Sequence, residues 1–150
     1  VWERQVPPGC WPDCDMLPLG RIRLNVKAAP DTPQYGEKSD WTQFTEDEQR
    51  TMMSLWCIFR SPLMMGGEMR DNDGFTLSLL TNREILDMHR YGTGAHQVYR
   101  TEVSACWGEL EVAGPYKIRE LWAHRDLGTE KGKLCVALPA HGAAVYRLQK

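Results

Sequence analysis

The sequence lacks the features that are typical of a membrane protein or a nucleic-acid-binding protein. No apolar run approaches the roughly 18 residues that a membrane-spanning helix needs. The net charge is only −2, from 18 basic and 20 acidic side chains. No excess of positive charge therefore favours nucleic acid or an anionic membrane surface as a partner. We expect neither of them to bind this chain.

Cysteine is too sparse for a disulfide framework or a zinc site. The chain has five cysteines, an odd number, and only Cys10 and Cys14 lie close together. A zinc site of the common type needs a second close pair. Cys57 stands within the apolar stretch Leu-Trp-Cys-Ile-Phe and is expected to be buried. The Gly-X-Ser-X-Gly motif of hydrolase nucleophiles is also absent from the sequence.

Residues 9–20, Gly-Cys-Trp-Pro-Asp-Cys-Asp-Met-Leu-Pro-Leu-Gly, form the most informative stretch. Asp13 and Asp15 stand one residue apart between Trp11 and Met16, in a segment that its prolines and glycines shape into a loop. Carboxylates accept hydrogen bonds from hydroxyl groups, and an aromatic ring offers a flat face to a sugar ring. The pattern predicts a sugar-binding rim. The alternative is turn chemistry, in which the acids bond local amide groups.

A buried helix is predicted over residues 45–60. Thr45 and Glu48 form a capping box, in which each side chain bonds the other residue's backbone amide. The residues that follow are apolar on nearly every side, which indicates a largely buried helix. The helix should end near Arg60, because a residue that precedes proline, here Ser61 before Pro62, disfavours helical geometry.

The next segments predict a short buried strand at 62–66 and a helix at 75–80. A second capping box, Thr81-Asn82-Arg83-Glu84, predicts another helix that runs to about His89. Asp71-Asn72-Asp73-Gly74 resembles a calcium-binding loop but lacks the further acidic ligands of an EF-hand. We interpret it as a polar loop in which Asp73 caps the helix that follows.

From residue 96 the hydrophobic period changes to two, which predicts β-strands. The predicted strands cover residues 96–100, 116–122, 133–138 and 143–148. The last two are expected to form an antiparallel hairpin that turns at 139–142. Helices and a parallel strand followed by a β-rich tail predict two parts, 1–92 and 93–150.

Several segments, in the same order along the chain, resemble motifs of glycoside hydrolase family 27 in the α-galactosidase clan, and its bacterial members most closely. They are Trp-Pro-Asp-Cys-Asp-Met-Leu-Pro-Leu-Gly (11–20), Glu-Gln-Arg-Thr-Met-Met-Ser-Leu-Trp (48–56), Phe-Arg-Ser-Pro-Leu-Met-Met-Gly-Gly (59–67), Leu-Leu-Thr-Asn-Arg-Glu (79–84), Ile-Arg-Glu-Leu-Trp (118–122) and His141-Gly142.

This resemblance implies an α/β fold, the C-terminal part of a (β/α)8 barrel followed by a small antiparallel β domain. Residues 1–92 would hold barrel strands seven and eight with their helices, and residues 93–150 a shortened β domain. We then expect a portion of a longer, retaining exo-glycosidase that hydrolyses terminal α-D-galactosides without a cofactor or metal. Its partners would be that carbohydrate and the missing N-terminal portion of the barrel, and the family implies a secreted or periplasmic location.

The resemblance also assigns the candidate site. Asp15 and Met16 match family positions that line the sugar pocket, and Asp13 and Trp11 flank them. The family's nucleophile and acid/base are two aspartates in motifs that follow earlier strands, and neither motif occurs in this sequence. We therefore expect Asp15, Met16, Asp13 and Trp11 to bind substrate, no catalytic residue in this chain, and no activity of the isolated chain.

A second hypothesis is a non-catalytic carbohydrate-binding or degenerate fragment of the same fold. Trp11, Trp41 and Trp107 would then offer stacking faces to sugars. The chain also departs from the family pattern, first because the front of the barrel is absent, so we expect a truncated product, a degenerate copy or one piece of a longer protein. The β domain is compressed between Trp107 and Tyr116, and Met88-His89 stands where the family usually has Asn-Gln.

Overall fold

The computed structural model describes residues 9–22, 41–92, 94–95, 97, 104–108, 110 and 112–150. In these residues three helices precede five strands. The helices are α1 (Glu46–Phe59), α2 (Gly74–Leu80) and α3 (Arg83–Tyr91), and the strands are β1 (Ser104–Cys106), β2 (Pro115–Glu120), β3 (Arg125–Lys131), β4 (Lys133–Cys135) and β5 (Tyr146–Gln149). Among the described helices, none has the length and apolar character to cross a bilayer.

Helix α1 begins and ends where the sequence predicts. The Thr45 hydroxyl accepts from the Glu48 amide at 3.3 Å, and the Glu48 carboxylate accepts from the Thr45 amide at 2.9 Å. Arg60 ends the helix in the left-handed region, at φ 57°. Cys57 is buried as predicted, and this burial raises the pKa of its thiol to about 12. Of the residues of α1 only Glu46 is exposed: Gln49, Met53, Ser54 and Cys57 are buried, and the others, Trp56 among them, are half-buried.

Helices α2 and α3 follow each other with only Thr81 and Asn82 between them. Asp73 caps α2 as predicted, since its carboxylate accepts from the Thr76 amide at 2.7 Å. The predicted capping box at Thr81 is wrong by one residue. The Thr81 hydroxyl donates to the Leu77 carbonyl of the preceding helix, and the Asn82 side chain accepts from the Ile85 amide at 3.1 Å as the true N-cap of α3.

Residues 14–21 and 61–68 lie side by side in parallel, and we call this pair the parallel ribbon. The Leu17 amide donates to the Met64 carbonyl at 2.8 Å, and the Gly66 amide donates to the Leu17 carbonyl at 2.8 Å. The strand predicted at 62–66 is reduced to one parallel bridge, Leu17 with Met65. The Leu19 amide donates within its own segment, to the Leu17 carbonyl at 2.9 Å, so the hydrogen bonds between the two segments do not repeat as a regular ladder.

Gly67 allows the two segments of the parallel ribbon to approach each other. A β-carbon at this position would lie 2.6 Å from the Leu19 carbonyl oxygen and 2.9 Å from that of Arg21. Both are backbone atoms, so the segments would have to separate. We expect Gly67→Ala to lower the free energy of unfolding by about 1–3 kcal/mol in urea denaturation. Gly74→Ala is the control, because a β-carbon there meets no atom within 4 Å; equal effects would contradict close packing at Gly67.

Within the described residues, the β-rich part contains two antiparallel sheets, one of order β3-β2-β5 and one of order β1-β4. The predicted hairpin of 133–138 with 143–148 is wrong, because β4 pairs with β1 and β5 pairs with β2. The observed hairpin joins β2 to β3, a strand that is nearly all polar and exposed and so shows no apolar alternation in the sequence. The strand predicted at 96–100 lies, except for Gln97, outside the described residues.

One buried core joins the parallel ribbon, the helices and the end of the three-stranded sheet. Its members are Leu17, Leu19, Met53, Cys57, Leu79, Ile85, Leu121 and Val145. Two hydrogen bonds reinforce the junction: the Asn82 amide group donates to the Leu121 carbonyl at 3.0 Å, and the Trp122 indole donates to the Ser54 hydroxyl at 2.9 Å. The boundary between residues 92 and 93 stays a prediction, and the parts on either side share this core.

Glu84, in the first turn of α3, carries an ionic contact between that helix and the sheet. The Arg119 guanidinium donates to both Glu84 oxygens at 2.7 Å and also lies 3.1 Å from Asp126. His124 Nδ1 lies 2.6 Å from the same carboxylate. The bonds from Arg119 are the main reason that the pKa of Glu84 falls from 4.5 to about 2. Glu84 is therefore ionised at neutral pH.

Candidate functional site

Two long-range hydrogen bonds fasten the loop that carries the candidate residues. The Cys14 amide donates to the hydroxyl of Ser61, a fully buried residue, at 3.0 Å. The indole Nε1 of Trp56 donates to the Asp15 carbonyl at 2.9 Å. Both partners belong to α1 or to the residues directly after it, so that helix fixes where the loop lies.

Asp13 and Asp15 are both exposed, and each bonds a neighbouring amide. Asp13 Oδ1 accepts from the Asp15 amide at 2.8 Å, and Asp15 Oδ1 accepts from the Met16 amide at 2.6 Å. Asp15 itself has φ 70°, in the left-handed region. The turn chemistry that the sequence allowed is therefore present. Asp15 Oδ2 has no hydrogen-bond partner in the part of the chain that the structure describes, and it is available to a ligand.

Met16 and Met64 project from the face of the parallel ribbon that is opposite the core. Each precedes a member of the bridged pair Leu17 and Met65, and successive residues of an extended segment point to opposite faces. Leu17 is 0% exposed, whereas Met16 is 54% and Met64 55% exposed. The ribbon thus presents an open, apolar face beside Asp15, and a binding pocket could form on it.

Trp11 lies apart from these residues, beside the C-terminal end of α1. The Arg60 guanidinium carbon is 6.0 Å from the centre of the Trp11 ring. Both belong to a cleft of about 470 Å³ that Asp13, Asp15 and Met16 do not line. Its lining residues are Trp11, Arg60, Pro62, Leu86, His89 and Arg90. The structure therefore brings three of the four candidate residues together and places the fourth in a neighbouring cleft.

The tryptophans of the second hypothesis differ in exposure. Trp11 is 54% and Trp41 39% exposed, so both rings are open to solvent. Trp107 is only 4% exposed and makes an edge-to-face contact with Tyr116, at 6.1 Å between ring centres. The expectation that Trp107 offers a stacking face is therefore wrong, because its ring is part of the packed interior.

No cluster of three or more His, Cys, Asp or Glu side chains with metal-binding geometry occurs within the described ranges. Sequence reasoning overlooked Trp56 and Ser61, which hold the candidate loop. A serine before a proline at a helix end was a weak signal for Ser61. The role of Trp56 had no signal, because its partner Asp15 is 41 residues away.

Comparison with known proteins relates this chain to one group of enzymes. Residues 67–148 match the family of the α-galactosidase C-terminal β-sandwich domain. A GH27 β-L-arabinopyranosidase from Geobacillus stearothermophilus has 42% sequence identity and a TM-score of 0.83 over 99% of this chain and 39% of its own. A proposed α-N-acetylgalactosaminidase from Bacillus halodurans has 31% identity and a TM-score of 0.81 over 100% of this chain and 40% of its own.

Curated relatives are more distant in sequence. An α-galactosidase of Oryza sativa subsp. japonica is 21% identical over 178 residues, which cover 98% of this chain and 38% of the rice enzyme. That alignment is longer than the 150 residues of the chain, so the rice enzyme contains segments without a counterpart here. α-Galactosidase A of Cellvibrio japonicus is 28% identical over 94% of this chain and 40% of its own length. The chain thus spans about two fifths of the length of each of these relatives.

Proposed function

The chain belongs to glycoside hydrolase family 27 and corresponds to the C-terminal portion of a family member. We infer its function from this family. We propose that it works as part of a longer retaining exo-glycosidase that hydrolyses terminal α-D-galactosides. The observation that carries the proposal is Asp15, whose Oδ2 is unpartnered among the described residues and which stands beside the open apolar face at Met16. The α-galactosidases among the curated relatives support this choice of substrate.

In this proposal each loop residue has a distinct role. Asp15 accepts hydrogen bonds from sugar hydroxyls through Oδ2, and Met16 contributes an apolar wall. Asp13 holds the Asp15 amide and so supports the turn. Trp11 flanks the loop and packs on Arg60. In barrel enzymes the loops at the carboxyl ends of the strands bind substrate, which agrees with a pocket on this loop.

The two catalytic carboxyl groups are proposed to lie outside this chain. A retaining glycosidase uses a nucleophile and an acid/base about 5–5.5 Å apart. In this family both are aspartates on earlier barrel strands, and the sequence has neither motif. We therefore propose that the chain alone has no turnover, that it needs the preceding part of the barrel as its partner, and that no cofactor takes part. We also propose a secreted or periplasmic location, because the resemblance to the family implies one.

A second candidate substrate is a β-L-arabinopyranoside. The observation in its favour is the 42% identity to the Geobacillus arabinopyranosidase, against 21% to the rice α-galactosidase. The two sugars have the same arrangement of ring hydroxyls, and arabinopyranose lacks the hydroxymethyl group of galactose. A pocket built on Asp15 would accept either ring, and contacts at the position of the hydroxymethyl group would decide between them.

Hydrolysis of aryl glycosides by the full-length protein tests this function. We expect release of p-nitrophenol from the α-D-galactopyranoside or the β-L-arabinopyranoside, and proton NMR should show that the first product keeps its anomeric configuration. A higher kcat/KM on the arabinopyranoside would favour the second candidate. Sugar binding without turnover of either glycoside, or of the α-N-acetylgalactosaminide, would favour the non-catalytic hypothesis instead.

A further inference from the structure

We propose that Trp56 is the positioning residue of the sugar site, because its indole N–H holds the backbone of Asp15 in the orientation that aims the carboxylate at the substrate. The inference rests on the proposed function, since it assigns a further residue to the same site. Trp56 does not touch the sugar in this account, and it acts only through Asp15.

The geometry joins a rigid donor to a distant loop. Trp56 Nε1 lies 2.9 Å from the Asp15 carbonyl oxygen, across 41 residues of sequence. The Trp56 ring packs against the buried core, and its own carbonyl accepts from the Ser61 amide at 3.0 Å at the end of α1. A tryptophan has only two side-chain torsions, so a packed ring gives its N–H a well-defined direction.

Asp15 needs such an anchor because its conformation is unfavourable for a residue with a β-carbon. Its φ of 70° lies in the left-handed region, which persists when surrounding contacts determine it. Asp13 holds the Asp15 amide, and the Asp15 side chain holds the Met16 amide. Both of these bonds are local and move with the loop. Trp56 bonds the other backbone polar group of Asp15, its carbonyl, and so connects the loop to helix α1.

Loss of this bond would let the peptide group between Asp15 and Met16 rotate. The Asp15 carboxylate would then leave the direction in which it can bond a hydroxyl, although it would remain charged and exposed. Small displacements of a positioning contact are costly because binding and turnover depend on alignment. The effect should therefore appear in affinity for the sugar, and it should exceed any effect on the stability of the protein.

Trp122 provides a matched control. Its indole Nε1 donates to the Ser54 hydroxyl on the same helix α1, also at 2.9 Å, and its side chain is likewise half-buried. Trp122→Phe therefore removes an equivalent hydrogen bond from the same helix without touching the candidate loop. A merely structural role of Trp56 would make the two substitutions equivalent in every measurement.

The test compares Trp56→Phe with Trp122→Phe in the full-length protein. For Trp56→Phe we expect KM, and the inhibition constant of the free sugar released from the best substrate, to rise about fivefold to tenfold. We expect kcat to change less than twofold, and Trp122→Phe to leave all three constants unchanged. In an Asp15→Ala background, Trp56→Phe should have almost no further effect on the inhibition constant, because both changes act on one contact.

Equal constants for the two variants, or additive effects in the Asp15→Ala background, would overturn the proposal. Should Trp56→Phe fail to fold, Trp56→benzothienylalanine, in which sulfur replaces the indole N–H, keeps the ring shape and must give the same rise in KM. Failure of the proposed function is distinguishable, because the wild-type protein would then hydrolyse none of the three aryl glycosides, whether or not it binds the sugars.

Discussion

Asp15→Asn in the full-length protein is expected to lower kcat/KM by about 30- to 150-fold. Replacing a carboxylate by an amide removes a charge-assisted hydrogen bond to a sugar hydroxyl, which is worth about 2–3 kcal/mol. The fold should tolerate the change, because asparagine also occupies the left-handed region and its amide oxygen can accept from the Met16 amide in place of Asp15 Oδ1. Steady-state kinetics together with thermal unfolding measure both effects.

Asp87→Asn is the matched control for this result. Asp87 is also an exposed aspartate, but it lies on α3, outside the proposed site. Its substitution should leave both kcat/KM and the unfolding temperature unchanged. Unchanged turnover of Asp15→Asn would show that Asp15 does not bind the substrate. If the free energy of unfolding fell by as much as the activation free energy rose, Asp15 would serve only to stabilise the turn.

Glu84→Gln is expected to lower the free energy of unfolding at pH 7 by about 1.5–3 kcal/mol. The substitution weakens the charge-assisted bonds from Arg119 that join α3 to the sheet. Because the pKa of Glu84 falls from 4.5 to about 2 on folding, its contribution is fully present above pH 4.5 and is lost as the pH falls towards 2. Urea denaturation at several pH values should therefore show the difference between wild type and variant shrinking below pH 4.5.

Glu68→Gln separates this effect from that of an ordinary surface ion pair. Arg70, two residues along the chain, also holds the pKa of Glu68 at about 2. Arg70 is 82% exposed, so the pair joins no separate parts of the fold and is screened by water. We expect a change in stability much smaller than that of Glu84→Gln, because water screens this exposed pair. An equal loss in both variants would mean that Glu84 does not join α3 to the sheet.

Features that depend on neighbouring residues could be predicted from the sequence. The capping box at Thr45 and Glu48 and the cap at Asp73 are local hydrogen bonds, so their residue types alone identify them. Thr81 shows the limit of such a rule, because its hydroxyl had a competing acceptor at Leu77 in the preceding helix. Local chemistry was therefore enough to predict which helices form, but the predicted first residue of a helix could be wrong by one position.

Features that depend on pairing across the chain could not be predicted. The order β3-β2-β5 places β5 beside β2, although β4 and β5 are adjacent in sequence. Strand β3 went unnoticed because its side chains are nearly all polar on both faces. In the candidate site the sequence indicated Asp13, Asp15 and Met16 together, whereas the contact of Trp56 with Asp15 needs the fold to bring the two residues together.

A crystal structure of the full-length protein with the free sugar of its best substrate tests the central claim most directly. The account predicts Asp15 Oδ2 within about 2.5–3.0 Å of a ring hydroxyl, Met16 against the sugar, and the Trp56 indole still bonded to the Asp15 carbonyl. A sugar bound at a place where neither Asp15 nor Met16 touches it would contradict the assignment of this loop to the substrate pocket.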